Sequence, residues 1–565
     1  MRSLGFDVRV APGPGDTAAL LAAVPADRRV AVVDPRFVGH VHSLRLGLTD
    51  PRFPAAAVPG ALTAQPAARA ALARAVAGAP TPDAAADALD ADGTAVHRPE
   101  LGSLVAAVPD DPQSRKETRD AVEAVDDEAV RLKSAVKARD GFFTTFCISP
   151  YSRYLARWCA RRGLTPNQVT TASLVTALVA AGCAATGTRG GYVAAGLLLL
   201  FSFVLDCADG QLARYSLQYS TLGAWLDATF DRAKEYAYYA GLALGAIRGG
   251  DDVWALALGA MVLQTCRHVV DFSFNEANHD ATANTSPTAA LSDKLDAKGW
   301  TVWVRRMIVL PIGERWAMIA VLTALTTPRI VFYALLVGCA FAACYTTAGR
   351  LLRSVTRRAR RTDRAAQALA DLADSGPLAQ GVARAVRKGW SAPVLAVIGA
   401  AALLGTVLSA PYGSWGVVAL AAFYALFSGL AVAAPLKGAL DWLVPPVFRA
   451  AEYLTVLVLA ARADAPHALP AAFGLVAAVA YHHYDTVYRI RGGTGAPPAW
   501  LVRTIGGHEG RTLAVAILAA VLSPAGFTLA LTVLAVAIAL VVLVESVRFW
   551  VSSGAPAVHD EGEAA

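Results

Sequence analysis

LDCADGQLAR (residues 205–214) and STLGAWLDATFDRAKEY (220–236) place acidic residues where two long apolar runs end and begin. Read as helices, the first puts Asp206 and Asp209 three residues apart on one face, and the second puts Asp227 and Asp231 four apart on another. The helices are consecutive and antiparallel, so both pairs lie at the same end and four carboxylates converge. Charges buried near a bilayer core cost several kcal/mol each unless compensated. Divalent cations meet that need, and carboxylate oxygens suit Mg²⁺ or Mn²⁺. Such ions in turn bind and polarise a diphosphate. Gly210, Ala213 and Gly223 are small enough to let a bulky ligand approach the backbone, and Arg214 supplies a cation for phosphate. The competing reading is a set of interhelical salt bridges to Arg214, Arg232 and Lys234. Four acids on two facing stripes weigh against it.

Outward from this pair of helices the chain reads as a polytopic α-helical membrane protein. It is 55% hydrophobic and 17% charged, with a mean hydropathy of +0.44, and it holds several apolar runs of about 20 residues, long enough to cross a bilayer. Six spans are expected at 167–187, 192–214, 221–246, 253–275, 313–327 and 329–350, and six more at 391–410, 415–434, 445–463, 468–488, 510–523 and 526–549. The Arg-rich segments 151–162, 350–364 and 489–503 are separated by even numbers of spans, so all can face the cytoplasm. The net charge of +7 therefore reads as cytoplasmic loop charge, not as a nucleic-acid surface. Seven cysteines without a CxxC pair argue against a disulfide framework or zinc site.

Residues 1–109 read as a small soluble α/β domain, with FDVRVA and RRVAVVD as strands around the helical DTAALLAAVP. No signal-peptide-like stretch begins the chain, so this unit is expected in the cytoplasm. Residues 110–165 form a linker whose YSRYLARWCARRG (151–163) suits a helix lying on the membrane surface. The membrane core spans 166–355, opened by Thr165 as N-cap and Pro166 in the first turn. A basic linker (356–389), a second membrane domain (390–552) and a disordered tail (553–565) follow.

The pattern Asp206-x2-Asp209-Gly210-x2-Ala213-Arg214-x8-Gly223-x3-Asp227-x3-Asp231 resembles, at every specified position, the signature of the CDP-alcohol phosphotransferases. The resemblance covers roughly 140–355. It implies transfer of a phosphoalcohol group from a CDP-linked donor to an acceptor alcohol, with CMP leaving, in phospholipid or inositol-phosphodiester synthesis. It further implies Asp206, Asp209 and Asp227 as metal ligands, and Asp231 as metal-proximal and as the general base. Gly210, Ala213, Arg214 and Gly223 would contact the CDP moiety. DGFFTTFCISPYSRYLARW (140–158) and the attached N-terminal unit look like the inositol-phosphate branch, in which a cytidylyltransferase domain precedes a di-myo-inositol phosphate phosphate synthase. Residues 1–109 lack a Gly-rich nucleotide loop, and Asp34 is a lone candidate that reads better as a turn residue, so the unit is expected to be a degenerate relative. An acceptor or phosphate pocket can be drawn from Arg267, His268, Arg305, Glu314 and Arg315, although each can equally pair internally or reach the interface. The residues leave open whether the donor is a lipid, and which metal and acceptor are used. A twelve-span transporter is the alternative, weakened because the acids cluster in one half.

The second half echoes the first. DRAKEY (231–236) has a counterpart in FRAAEY (448–453), His268-x2-Asp271 in His482-x2-Asp485, and GERWAMIAVLTALTTP (313–328) in HEGRTLAVAILAAVLSP (508–524). A constant offset puts Asp206, Asp209, Gly223, Asp227 and Asp231 on Phe423, Leu426, Leu440, Val444 and Phe448. The expectation is a diverged parallel repeat without metal, acting as an intrachain pseudo-dimer, with a homodimer as the other possibility.

Overall fold

The computed structural model describes the chain except residues 14, 26–27, 51, 138–139, 280–302, 304–306, 357–359, 387–390 and 553–565. The N-terminal region mixes short helices with a four-stranded sheet of β1 (Val30–Val33), β3 (Ala55–Val58), β4 (Ala61–Ala64) and β5 (Val96–His97), in the order β1-β4-β3-β5. β2 (Val38–Gly39) pairs with β6 (Ala106–Ala107). The hairpin β3–β4 turns at Gly60, whose φ of 78° is left-handed and whose N–H is held by Asp83 at 3.0 Å. The expected helix over DTAALLA and strand over VAVV are present. FDVRVA is not a strand: Val10 is exposed, and β1 pairs instead with β4, antiparallel. Alternation makes a strand only where a sheet edge accepts it.

The membrane portion begins with α1 (Ser149–Arg161), whose Tyr151, Tyr154 and Trp158 are exposed beside its arginines. There follow α2 (Pro166–Ala185), α3 (Arg189–Ser216), α4 (Thr221–Arg248), α5 (Trp254–Asn278), α6 (Ile312–Leu325) and α7 (Pro328–Thr356). Two amphipathic connectors, α8 (Asp363–Ala373) and α9 (Pro377–Ala385), lead to α10 (Ala392–Ser409), α11 (Trp415–Ala431), α12 (Val444–Arg462), α13 (Ala468–Arg491), α14 (Gly507–Val521) and α15 (Pro524–Ser552).

Helices thus occupy the positions expected for twelve spans. Among the described residues, six segments are long and apolar enough to cross a membrane, namely α2, α3, α7, α10, α12 with its preceding turn, and α15, so the chain is an integral membrane protein. Helices α4, α5 and α13 are as long but carry charges that pair inside the protein. Helices α6 and α14 have 14 and 15 residues, roughly 21–23 Å of helix against a hydrocarbon core of about 30 Å.

Neighbour relations repeat along the chain. In the first half α1 packs on α3, α2 on α3 and α4, α3 on α6, α4 on α5, α5 on α7 and α6 on α7. In the second, α9 packs on α11, α10 on α11 and α12, α11 on α14, α12 on α13, α13 on α15 and α14 on α15. Between the halves, α5 lies against α8, α12 and α13, and α4 against α13 and α15.

Candidate metal and nucleotide site

The turn between α3 and α4 brings the acids together. Leu217, at φ 51°, ends α3 in the left-handed region. Ser220 then caps α4, its hydroxyl accepting from Gly223 N–H at 2.9 Å. Four linking residues allow no separation of the two helices, so Asp206 and Asp209 face Asp227 and Asp231. α2 closes the third side. Its N-terminus is a reciprocal cap of Thr165 with Gln168, and a Cβ at Gly223 would stand 2.7 Å from Asn167 Oδ1. No larger residue fits there without displacing Asn167.

Carboxylate oxygens of Asp206, Asp209 and Asp227 lie within 4.8 Å of one another. Oxygens bound to one divalent ion at about 2.0–2.6 Å are separated by no more than about 5 Å, so this trio fits Mg²⁺ or Mn²⁺. Thr170 Oγ1 donates to Asp209 Oδ2 at 2.5 Å, which orients that carboxylate.

Asp231 is held differently. Lys234, wholly buried, reaches Asp231 Oδ1 at 2.9 Å, also pairs with Asp206, and donates to Ser173 Oγ at 3.2 Å. The sequence reading that opposed metal ligation to salt bridges was too exclusive, because Lys234 does bridge two of the acids while three oxygens still converge. One lysine cannot offset four carboxylates, so a need for cations remains. Arg232 turns away to Glu235 at 3.0 Å, and Arg214 Nε donates to the Ala135 carbonyl at 2.6 Å. Lys234 sits three residues after Asp231, which is the sequence signal for its role. Thr170 lies on another helix, and no spacing pointed to it.

The residues drawn as an acceptor pocket have protein partners. Arg315 joins Glu235 at 3.2 Å, which Tyr239 also contacts at 2.7 Å. Arg267 donates to the Val309 carbonyl. His268 Nδ1 is 2.6 Å from Tyr484 Oη, and its Nε2 is 2.6 Å from Gln264 Nε2. Glu314 accepts from Phe143 N–H at 3.2 Å, tying α6 to the segment that leads into α1. Arg305 lies outside the described residues.

The N-terminal region reaches the end of α3. Arg45 donates to the Tyr215 carbonyl at 3.2 Å, Arg131 stacks on the Tyr215 ring at 4.1 Å and Arg52 on Tyr219 at 4.1 Å. Asp34 accepts from Arg36 N–H at 2.8 Å and closes its own turn.

Residues 163–344 match the family model described as CDP-alcohol phosphatidyltransferase, and residues 363–565 match a family described as one of unknown function. Among curated proteins, a phosphatidylinositol phosphate synthase of Streptomyces avermitilis is 33% identical over 130 residues, 22% of this chain and 51% of the relative. A bifunctional IPC transferase and DIPP synthase of Aquifex aeolicus is 27% identical over 208 residues, 35% of this chain and 45% of the relative. An archaetidylinositol phosphate synthase of Pyrococcus horikoshii is 29% identical over 113 residues, 20% of this chain and 58% of the relative. The chain thus spans about half the length of the curated relatives it matches.

Proposed function

We propose, from the CDP-alcohol phosphatidyltransferase domain at residues 163–344, that this protein transfers a phosphoalcohol group from a CDP-linked donor to an alcohol of the inositol-phosphate class. The observation that carries this reading is the meeting of Asp206, Asp209 and Asp227 oxygens within 4.8 Å, beside Asp231 and its buried partner Lys234. The relatives, among them synthases of phosphatidylinositol phosphate and archaetidylinositol phosphate, suggest the acceptor class.

In this reading Asp206, Asp209 and Asp227 hold Mg²⁺ or Mn²⁺, which when bound neutralises charge on the donor diphosphate. Gly210, Ala213 and Gly223 leave room for the CDP moiety against α3 and α4, and Arg214, oriented by Ala135, offers its guanidinium to a phosphate. Asp231 takes the proton of the acceptor hydroxyl as that oxygen bonds to phosphorus and the bond to CMP breaks. Lys234 pairs with the Asp231 carboxylate and holds it toward the cluster. The Arg-rich segments put this end of the helices, with the N-terminal region, on the cytoplasmic side. Residues 1–109 serve the α3–α4 turn through Arg45 and Arg52 and carry out no cytidylyl transfer. A transporter is disfavoured, since a carrier site would draw charged residues from both halves.

The test is CMP release by the purified protein with Mn²⁺ or Mg²⁺, CDP-linked lipid and soluble donors, and inositol phosphate. Release with at least one donor and its loss in Asp227→Asn is expected. The reading fails if no donor yields CMP, or if Asp227→Asn releases it at the native rate.

A further inference from the structure

We infer that residues 391–552, within the segment that matches a family of unknown function, are a second copy of the α2–α7 unit. This copy has lost its metal site, takes in cis the place a second chain would occupy, and braces the helix that carries Asp227 and Asp231. The inference is independent of which substrate the first half uses.

Three arrangements recur at corresponding places, the first of them buried in both units. Arg232 pairs with Glu235 at 3.0 Å and Arg315 joins Glu235 at 3.2 Å; Arg449 pairs with Glu452 at 2.8 Å and Arg511 joins Glu452 at 2.6 Å. The fourth helix of each unit grips the sixth through an aspartate: Asp271 pairs with Arg350, and Asp485 accepts from Ser546 at 2.7 Å. The fifth helix of each unit uses a glutamate to hold the start of the segment before the unit. Glu314 takes Phe143 N–H at 3.2 Å, while Glu509 takes Gly376 and Ala379 N–H at 3.0 Å each. With the repeated neighbour relations, these give one architecture twice in one chain. Ion triads buried in matching places are a costly feature to arise twice by chance.

The metal site is what the second copy lacks. Val444 and Phe448 stand for Asp227 and Asp231, as the sequence offset implied, and the Phe448 ring stacks on His508 at 4.1 Å. The same offset puts the apolar Phe423 and Leu426, on α11, in place of Asp206 and Asp209. α11 is also the shorter helix, with 17 residues against the 28 of α3.

The two units meet as two copies would. α5 packs on its own counterpart α13, and contact of α5 with α12 is answered by contact of α4 with α13, the reciprocity of a two-fold interface. Through this interface the second copy touches the back of α4. Trp550 stacks on Trp225, two residues before Asp227, at 6.1 Å, and donates to Asp485 at 2.7 Å. The Arg232 guanidinium, next to Asp231, lies 5.2 Å from the Tyr484 ring. These aromatic residues position α4 and do not approach a reacting atom.

Two measurements on the full chain test this. Native mass spectrometry from detergent should find one chain per particle; a stable particle of two chains would overturn the inference. Mn²⁺ affinity, read by electron paramagnetic resonance without substrate, should weaken about tenfold in Trp550→Leu, the scale of lost outer support at a metal site. Trp550→Phe, which keeps a ring against Trp225 and guards against simple misfolding, should retain most of the affinity. Unchanged affinity in Trp550→Leu, or an equal loss in both variants, would overturn the bracing role.

Discussion

Lys234 is the residue on which the electrostatics of the carboxylate cluster turn. It is buried among Asp206, Asp231 and Ser173, and removing one partner of a buried ion pair costs about 3–5 kcal/mol. Lys234→Met should therefore lower the thermal midpoint in EDTA, and Mn²⁺ should recover more of it than in the native chain, because a bound cation replaces part of the lost charge. A midpoint unchanged in EDTA would reject this role. His42 offers a second test, outside the membrane. Burial, and then Arg45, lower its pKa from 6.5 to about 4. The folded state thus holds a neutral ring, and this stability is complete above about pH 6.5 and is lost as pH falls toward 4. Amide exchange over Val41–Thr49, corrected for intrinsic rate, should lose protection between pH 6.5 and 4.5. His42→Leu should lessen that loss, and an equal loss in the variant would count against the assignment.

Among the elements, α4 joins the candidate site to the second unit. One face presents Asp227 and Asp231, the next buries Lys234 and Glu235, and the back meets Tyr484 and Trp550. The two Arg–Glu–Arg triads separate structure from chemistry. Glu235→Gln and Glu452→Gln each leave two buried guanidinium groups under-compensated, so both should lower the thermal midpoint. Only Glu235→Gln, on the helix of Asp227 and Asp231, should also move Mn²⁺ affinity. Equal effects of both on the metal would show that the triads act through global stability alone.

Across the whole molecule, Asp374 fastens the connector to the second unit. It meets Arg449 at 2.9 Å, Arg511 at 2.8 Å and His482 at 3.1 Å. Burial works to raise its pKa, but the two arginines and the histidine hold it well below the usual carboxylate value. The second unit thereby closes its charges on itself, while the first leaves carboxylates in excess, and that excess is where cations are required. The N-terminal region clasps the α3–α4 turn from outside.

The sequence alone placed the four carboxylates in pairs on two helix faces, because spacings of three and four residues along a helix are local geometry, set by 3.6 residues per turn whatever surrounds them. It also exposed the resemblance of DRAKEY to FRAAEY, and of the segments around Arg315 and Arg511, which share a register within single helices. The tertiary structure decided what depends on how separate helices are rotated and shifted against each other. Lys234 spans Asp206 and Asp231, Thr170 supports Asp209, and Arg315 turns inward to Glu235. FDVRVA has the alternation of a strand but joins neither sheet, and α11 has 17 residues where α3 has 28. No local period encodes these outcomes, because each is fixed by a partner far away in the chain.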